Sequence, residues 1–330
     1  MKKLTIAEIA TKKDREEVRD LFLVSSMQER SDKNGKPFLA FALGDKTGQI
    51  EARMWDASAN SVAVSQGDVA DVFALVESYQ GRQQLKVIRI QRANSGVYSI
   101  AEFLPATTQD VNQLWAKLTS VVAGFEDKNL QALLNSILND PLIAPALREA
   151  PAAKQLHHAW IGGLLEHIVS LLGLAEGVTH HYTDLNRDLV YTGVILHDIG
   201  KLQELSWQRS FEYTLEGQLL GHIQMGFSLV ERHIAALPGF PPRLRQLILH
   251  MILSHHGKLE FGSPKLPMFP EAVVLSFLDD LDAKMQAMRT ELERWTAAGR
   301  KSAELTDKIW SLDNRAILNT KAYLSGEGDD

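Results

Sequence analysis

"LHDIGK", residues 196–201, closes an apolar run, Leu189-Val190-Tyr191-Thr192-Gly193-Val194-Ile195, that has the character of a buried helix. A histidine and an aspartate side by side at the end of such a helix need explaining. An unpaired buried carboxylate costs several kcal/mol or takes up a proton. Either the pair sits at the surface or something compensates it, and a bound cation would do so.

The wider pattern favours the cation. The chain holds 11 histidines, none before residue 157. Several stand beside helix ends or glycines: His157-His158, His167, His197-Asp198, His222 and His255-His256. An acidic cluster follows in "LSFLDDLDAKM", with Asp279, Asp280 and Asp282. "HHAWIGGLLEHIVSLLGLAEGV" predicts a helix with His167 near its apolar face, and "FLDDLDAKM" a helix on which Asp279 and Asp282, three apart, share a side. Neighbours on a helix diverge by about 100°, so His197 and Asp198 reach one ion only if it lies off the helix end. A mixed nitrogen and oxygen set of this kind suits Mn²⁺, Fe²⁺, Zn²⁺, Ni²⁺ or Co²⁺ better than Ca²⁺. His222 and His255 could complete a second ion. With no cysteine in the chain, thiolate metal sites, disulfides and cysteine nucleophiles are excluded.

The 330 residues exceed what one core usually organises. Residues 18–92 read as strands: "VRDLFLVSSMQERS", "NGKPFLAFALGD", "KTGQIEARMWD" and then "VADVFALVESYQGRQQLKVIRIQRA" around Gln80-Gly81-Arg82, with a short helix or loop in "DASANSVAVSQGD". Five short strands with a break after the third predict a small Greek-key barrel of OB type. From Thr108 the spacing becomes helical. The expected organisation is multidomain: an N-terminal all-β OB-type barrel over 1–92, a linker and helical connector over 93–152, an all-α domain over 153–317, and a tail over 318–330 whose end, "SGEGDD", is expected to be disordered.

Apolar residues make up 45% and charged residues 23%. No apolar stretch reaches the roughly 20 residues that cross a bilayer, and residues 1–20 lack a signal-peptide core. The expectation is a cytoplasmic protein with no membrane partner. Net charge is −6, unevenly spread: positions 1–100 hold 15 basic and 13 acidic residues, the rest 20 and 28. The acidic larger part fits a carboxylate-lined cation site.

His…His-Asp…Asp is the signature of the HD superfamily of metal-dependent phosphohydrolases. The likeness extends over "PAAKQLHHAWIGGLLEH", "LHDIGKLQEL", "FEYTLEGQLLGHI", "LSHHGKLEFGSP" and "DDLDAKM". In this order the motifs resemble the YhaM-type bacterial 3′→5′ exoribonucleases, which also set an OB-fold domain ahead of an HD domain. The resemblance implies that His167, His197, Asp198 and Asp279 are the core metal ligands, with Asp198 bridging two ions. It implies that His222 and His255 serve a second ion, that His256 is either a further ligand or a donor supporting one, and that Asp282 orients a ligand histidine. Lys201 would neutralise a substrate phosphate beside the catalytic Asp198. The cofactor it implies is a pair of divalent ions, Mn²⁺ first. The activity it implies is hydrolysis of single-stranded RNA, and potentially single-stranded DNA, from the 3′ end to nucleoside 5′-monophosphates. Such relatives also form homo-oligomers, for which the apolar helices of 109–150 are a candidate surface.

An OB barrel attached to such a centre suggests a strand-gripping module. Phe38, Arg53, Trp55, Tyr79, Arg82, Lys86 and Arg89 are its candidate nucleic-acid contacts. On the third strand Glu51, Arg53 and Trp55 share one face and Ile50, Ala52 and Met54 the other. Two other functions fit parts of the pattern: a nucleotide or cyclic-dinucleotide phosphodiesterase, and a non-catalytic single-strand-binding protein. The barrel argues against the first and the complete ligand set against the second.

Overall fold

Val18 to Arg92 alternate apolar and polar side chains, and the apolar set meets inside a barrel. In the computed structural model, five strands close in the order β1-β2-β3-β5-β4. They are β1 (Glu17–Ser31), β2 (Pro37–Asp45), β3 (Gly48–Trp55), β4 (Val69–Tyr79) and β5 (Arg82–Arg92). The structure describes residues 3–32, 35–79, 82–94, 96–98, 102–154, 158–208, 210–297, 300–309 and 312–326, and the side chains of Tyr79, Arg82 and Ala297 are outside that description.

β1 is long because it serves two partners. Glu17–Leu23 pair with β4, and Leu23–Ser31 pair with β2 across an irregularity at Val24/Ser26. β3 meets β5 in parallel, which closes the barrel. Leu39, Phe41, Leu43, Ile50, Ala52, Val72, Ala74, Val76, Leu85, Val87 and Ile90 fill the core. On β5 the inward step slips from Val87 to Ile90, opposite the irregularity at Phe73/Ala74, and Ile88 turns outward. A short helix the sequence reading lacked, α1 (Ile6–Ile9), precedes the barrel. Its capping box of Thr5 and Glu8 satisfies both ends of the first turn, and Ile6 and Ile9 enter the barrel core.

Met1–Ala106 with Ser206–Glu212 form one unit; Thr107–Leu205 with Tyr213–Asp330 form the other. The second is helical: α2 (Val111–Ala123), α3 (Lys128–Leu138), α4 (Ile143–Glu149), α5 (Gly163–His181), α6 (Arg187–Leu196), α7 (Lys201–Glu204), α8 (Leu215–Ala235), α9 (Pro242–Ser254), α10 (Pro270–Ala297) and α11 (Thr320–Ser325). The helices read as a connector pack as part of this unit, α2 and α4 against α5. Leu114, Leu118, Val122, Leu130, Leu134 and Leu147 are buried there, while Leu142 is exposed. A two-stranded ribbon of β6 (Leu205–Ser206) and β7 (Glu212–Tyr213) departs from the all-helical expectation. Part of the expected tail is helical as well: the Asn319 side chain caps α11 by accepting from the Ala322 amide. Residues 327–330 lie outside the described residues.

α6 is the central rod. Leu189 to Leu196 are all buried, and Asn186 caps the helix by accepting from the Leu189 amide. Among the described residues, no helix is long and apolar enough to cross a membrane.

Candidate metal centre

α6 stops at Leu196, and a tight turn over His197–Gly200 follows. The turn lets two consecutive side chains face one point beyond the helix end. His197 and Asp198 are both buried, as are His167 on α5 and His255 after α9. The His197 and Asp198 groups come within 3.3 Å of each other.

Two clusters meet at Asp198. In the first, His167 Nε2 lies 3.4 Å from His197 Nε2 and 3.2 Å from Asp279 Oδ1, and His197 Nε2 lies 3.7 Å from that same oxygen. An ion with bonds of about 2.0–2.1 Å holds adjacent ligand atoms roughly 3.0–3.4 Å apart, so this spacing fits a coordination edge. Asp198 Oδ2 joins from 3.3 Å to His197 and 4.0 Å to His167. In the second cluster, one ligand atom each from His222, His255 and His256 lie within 4.8 Å of one another. Asp198 Oδ1 faces it, 3.5 Å from His222 Nε2 and 3.7 Å from His255 Nε2. The two oxygens of one carboxylate thus address the two clusters.

The histidines share one arrangement. Each commits Nδ1 to an acceptor: His167 to Asp282 at 2.8 Å, His197 to the Val194 carbonyl at 2.9 Å, His222 to Glu204 at 3.1 Å, His255 to the Ile252 carbonyl at 2.7 Å and His256 to the Phe261 carbonyl at 2.7 Å. This fixes the tautomer and leaves the Nε2 lone pair for a ligand, the usual outer support of metal-binding imidazole. Asp198 Oδ1, His222 Nε2 and His255 Nε2 are buried with no hydrogen-bond partner. Buried polar atoms are rarely orphaned, and three of them converging is what a cation site requires. The residues present therefore fit a pair of divalent ions.

The electrostatics divide the clusters. Burial pushes Asp198 up, but Lys201 and His197 outweigh it and hold the carboxyl well below the usual range. Asp279 follows the same logic, with His197 and His167 outweighing burial. Burial opposes charge on His197, yet Asp198 and Asp279 overcome it and raise the imidazole to about 10. Burial likewise opposes charge on His167, which Asp279 and Asp282 nevertheless raise. Burial takes His255 well down, reinforced by His197, and takes His256 down, reinforced by His222. The two clusters thus differ in their hold on protons: His167 and His197 of the first are raised, and His255 and His256 of the second are lowered.

Lys201 occupies a place the sequence did not suggest. Its ammonium lies 2.6 Å from Asp198 Oδ2 and is mostly buried, so it compensates that carboxylate directly. Asp282 sits as expected beside His167 and takes two further donors, His158 Nε2 at 3.1 Å and Ser170 Oγ at 2.6 Å. Asp280 turns outward to Lys284. His158 is buried in a left-handed conformation, φ +49°; His157 lies outside the described residues. Ser170 had a legible signal, three residues after His167 on the same helix.

Glu204 had none. It accepts from both the backbone amide and Nδ1 of His222, at 3.0 and 3.1 Å. Gly221, at φ +72°, breaks α8 there and frees that amide. Gly200 permits the approach, because a Cβ would stand 1.9 Å from the His222 carbonyl oxygen.

The candidate nucleic-acid residues of the barrel separate into groups. Phe38 and Trp55 are directly paired across β2 and β3, with ring centroids 4.8 Å apart, and Trp55 is 39% exposed and outside the core. Arg53 and Lys86 are partners in the β3–β5 ladder and lie on the same outer face. Arg30, opposite Phe38 on β1, and Gln28 join Phe38 and Arg53 at a groove of about 260 Å³ that the sequence reading missed. Arg89 stands further along β5, 4.0 Å from Asp71. The side chains of Tyr79 and Arg82 lie outside the described residues.

Residues 164–284 match the HD domain family. The chain is 38% identical over 304 residues to the 3′-5′ exoribonuclease YhaM of Geobacillus sp., covering 92% of this chain and 91% of that protein. It is 37% identical to the protein of the same name from Bacillus subtilis, covering 92% and 94%. Among solved structures, the HD domain of the Listeria monocytogenes phosphodiesterase PgpH shares 17% identity over 49% of this chain and 87% of that one, at a TM-score of 0.31.

Proposed function

The chain belongs to the 3′-5′ exoribonuclease YhaM family, and from that premise we propose that it is a divalent-metal-dependent exoribonuclease removing nucleotides from the 3′ end of single-stranded RNA. The observation that carries the reading is the convergence of His167, His197 and Asp279 on one side of Asp198, and of His222, His255 and His256 on the other. In this reading each trio would hold one ion, with one oxygen of Asp198 facing each trio. Bound ions supply a water with a pKa near 7 and charge stabilisation at phosphorus, and Mn²⁺, the ion the family resemblance implies, is the one to test first.

The protein groups have distinct tasks. Asp282 and Glu204 hold His167 and His222 in the tautomer that presents Nε2. Lys201 keeps Asp198 ionised and turned toward both clusters. The products are nucleoside 5′-monophosphates. Trp55 stacks bases with the buried Phe38 ring packed behind it, while Arg30, Arg53 and Lys86 meet phosphates along the strand. Single-stranded DNA is a second substrate, because stacking and phosphate contacts need no 2′-hydroxyl.

The test uses a 5′-labelled single-stranded RNA with Mn²⁺. A ladder shortening from the 3′ end with 5′-monophosphates in solution is expected, lost with chelator and in an enzyme carrying His197→Ala and Asp198→Ala. Undiminished cleavage after chelation overturns the reading.

A further inference from the structure

Lys201 spends a donor on Asp198 at 2.6 Å, so a cation beside the centre would add to what the bound ions give a substrate phosphate. The loop after α9 offers one. His255 and His256 are followed by Gly257, a 3₁₀ turn over Leu259–Phe261, and Gly262. Both glycines are left-handed, at φ +74° and +87°. The loop is closed by its own backbone: the Gly257 amide donates to Ser254, Phe261 to Lys258, Gly262 to Leu259 and Ser263 to Lys258.

This tight loop does two things at once. Inward, the Phe261 carbonyl accepts from His256 Nδ1 at 2.7 Å, which ties the loop to the centre. Outward, the Phe261 ring is 56% exposed, and the Lys258 ammonium lies 5.0 Å from its centroid. A large apolar ring held in water on an ordered loop contributes nothing to the core. An aromatic face with a lysine beside it is what a nucleotide offers a partner for: base to ring, phosphate to ammonium.

We propose that Phe261 and Lys258 position the 3′-terminal nucleotide at the metal centre, Phe261 by stacking on its base and Lys258 by pairing with its phosphate. The inference rests on the exoribonuclease reading and adds where the last nucleotide is gripped. Stacking of this kind tolerates any base, as suits an enzyme that must proceed through any sequence.

The experiment compares two 5′-labelled single-stranded RNAs with Mn²⁺, one ending in a normal nucleotide and one whose 3′-terminal ribose carries no base. Phe261→Ala should raise KM on the normal substrate by roughly tenfold, with kcat changed much less. Phe261→Trp should restore it. On the base-free substrate the wild type and Phe261→Ala should agree within about twofold, since the contact is already missing. Lys258→Gln should raise KM on both substrates and reduce the salt dependence by about one phosphate contact. Equal losses for Phe261→Ala on both substrates, or none on either, overturn the inference while leaving the nuclease reading intact. A wild type that shortens neither RNA overturns both.

Discussion

Replacing Asp282 by Asn removes one charge from the support of a single cluster. Three donors converge on this carboxylate: His167 Nδ1–H at 2.8 Å and His158 Nε2–H at 3.1 Å on Oδ2, and Ser170 Oγ–H at 2.6 Å on Oδ1. An Asn with its carbonyl toward the histidines keeps both of their bonds, and its amide faces a hydroxyl that can turn to accept. Shape and hydrogen bonding survive and only the charge goes. A hydrogen bond to a charged acceptor contributes about 1.5–3 kcal/mol and a neutral one about 0.5–1.5. The loss at His167 is thus roughly 1–1.5 kcal/mol, near tenfold in affinity, and outer partners of metal-bound histidines range from about 10- to 100-fold. Mn²⁺ titration of Asp282→Asn should show one site weakened by that factor and the other unmoved, with activity recovering at excess Mn²⁺. Both sites weakening alike, or neither, would refute the division of the centre into two clusters supported separately.

Further outcomes follow from the same geometry. Because Asp198 and Asp279 raise His197 to about 10, Mn²⁺ must displace a proton there at neutral pH. His167, also raised, gives up a proton too, so affinity at that site should climb by up to about tenfold per pH unit for each proton displaced, while the site of His255 and His256, both lowered, depends far less on pH. Calorimetry in buffers of different ionisation enthalpy reads the released proton directly. Lys201→Gln leaves Asp198 buried without its cation and should cost about 3 kcal/mol in chelator-treated protein; urea denaturation should find the cost at least halved when Mn²⁺ is bound. On the barrel, Arg53→Glu with Lys86→Glu should weaken binding of a long single-stranded RNA far more than of a dinucleotide, with a shallower salt dependence by about two phosphate contacts.

The barrel was legible because its inner and outer faces alternate cleanly on β2 and β3. Its closure was less so: the parallel β3–β5 contact joins strands distant in sequence, and no local pattern announces it. At the centre, the ligand types stood out because His and Asp on apolar helices have few structural uses. Their supports did not. Glu204 lies in an ordinary polar stretch, and its role exists only because Gly221 breaks α8 and Gly200 lets the chain approach. Lys201 looked free because a sequence does not show that its nearest anion is Asp198, three residues back. Arg30 escaped notice because its place beside Phe38 depends on the register of β1 against β2.

The account stands on Asp198 joining two ions. Equilibrium dialysis against Mn²⁺ should find two ions per chain in the wild type and a loss of both tight sites in Asp198→Asn, while Asp279→Asn loses one. A wild type that retains no Mn²⁺, or an Asp198→Asn variant that still holds two, would contradict it.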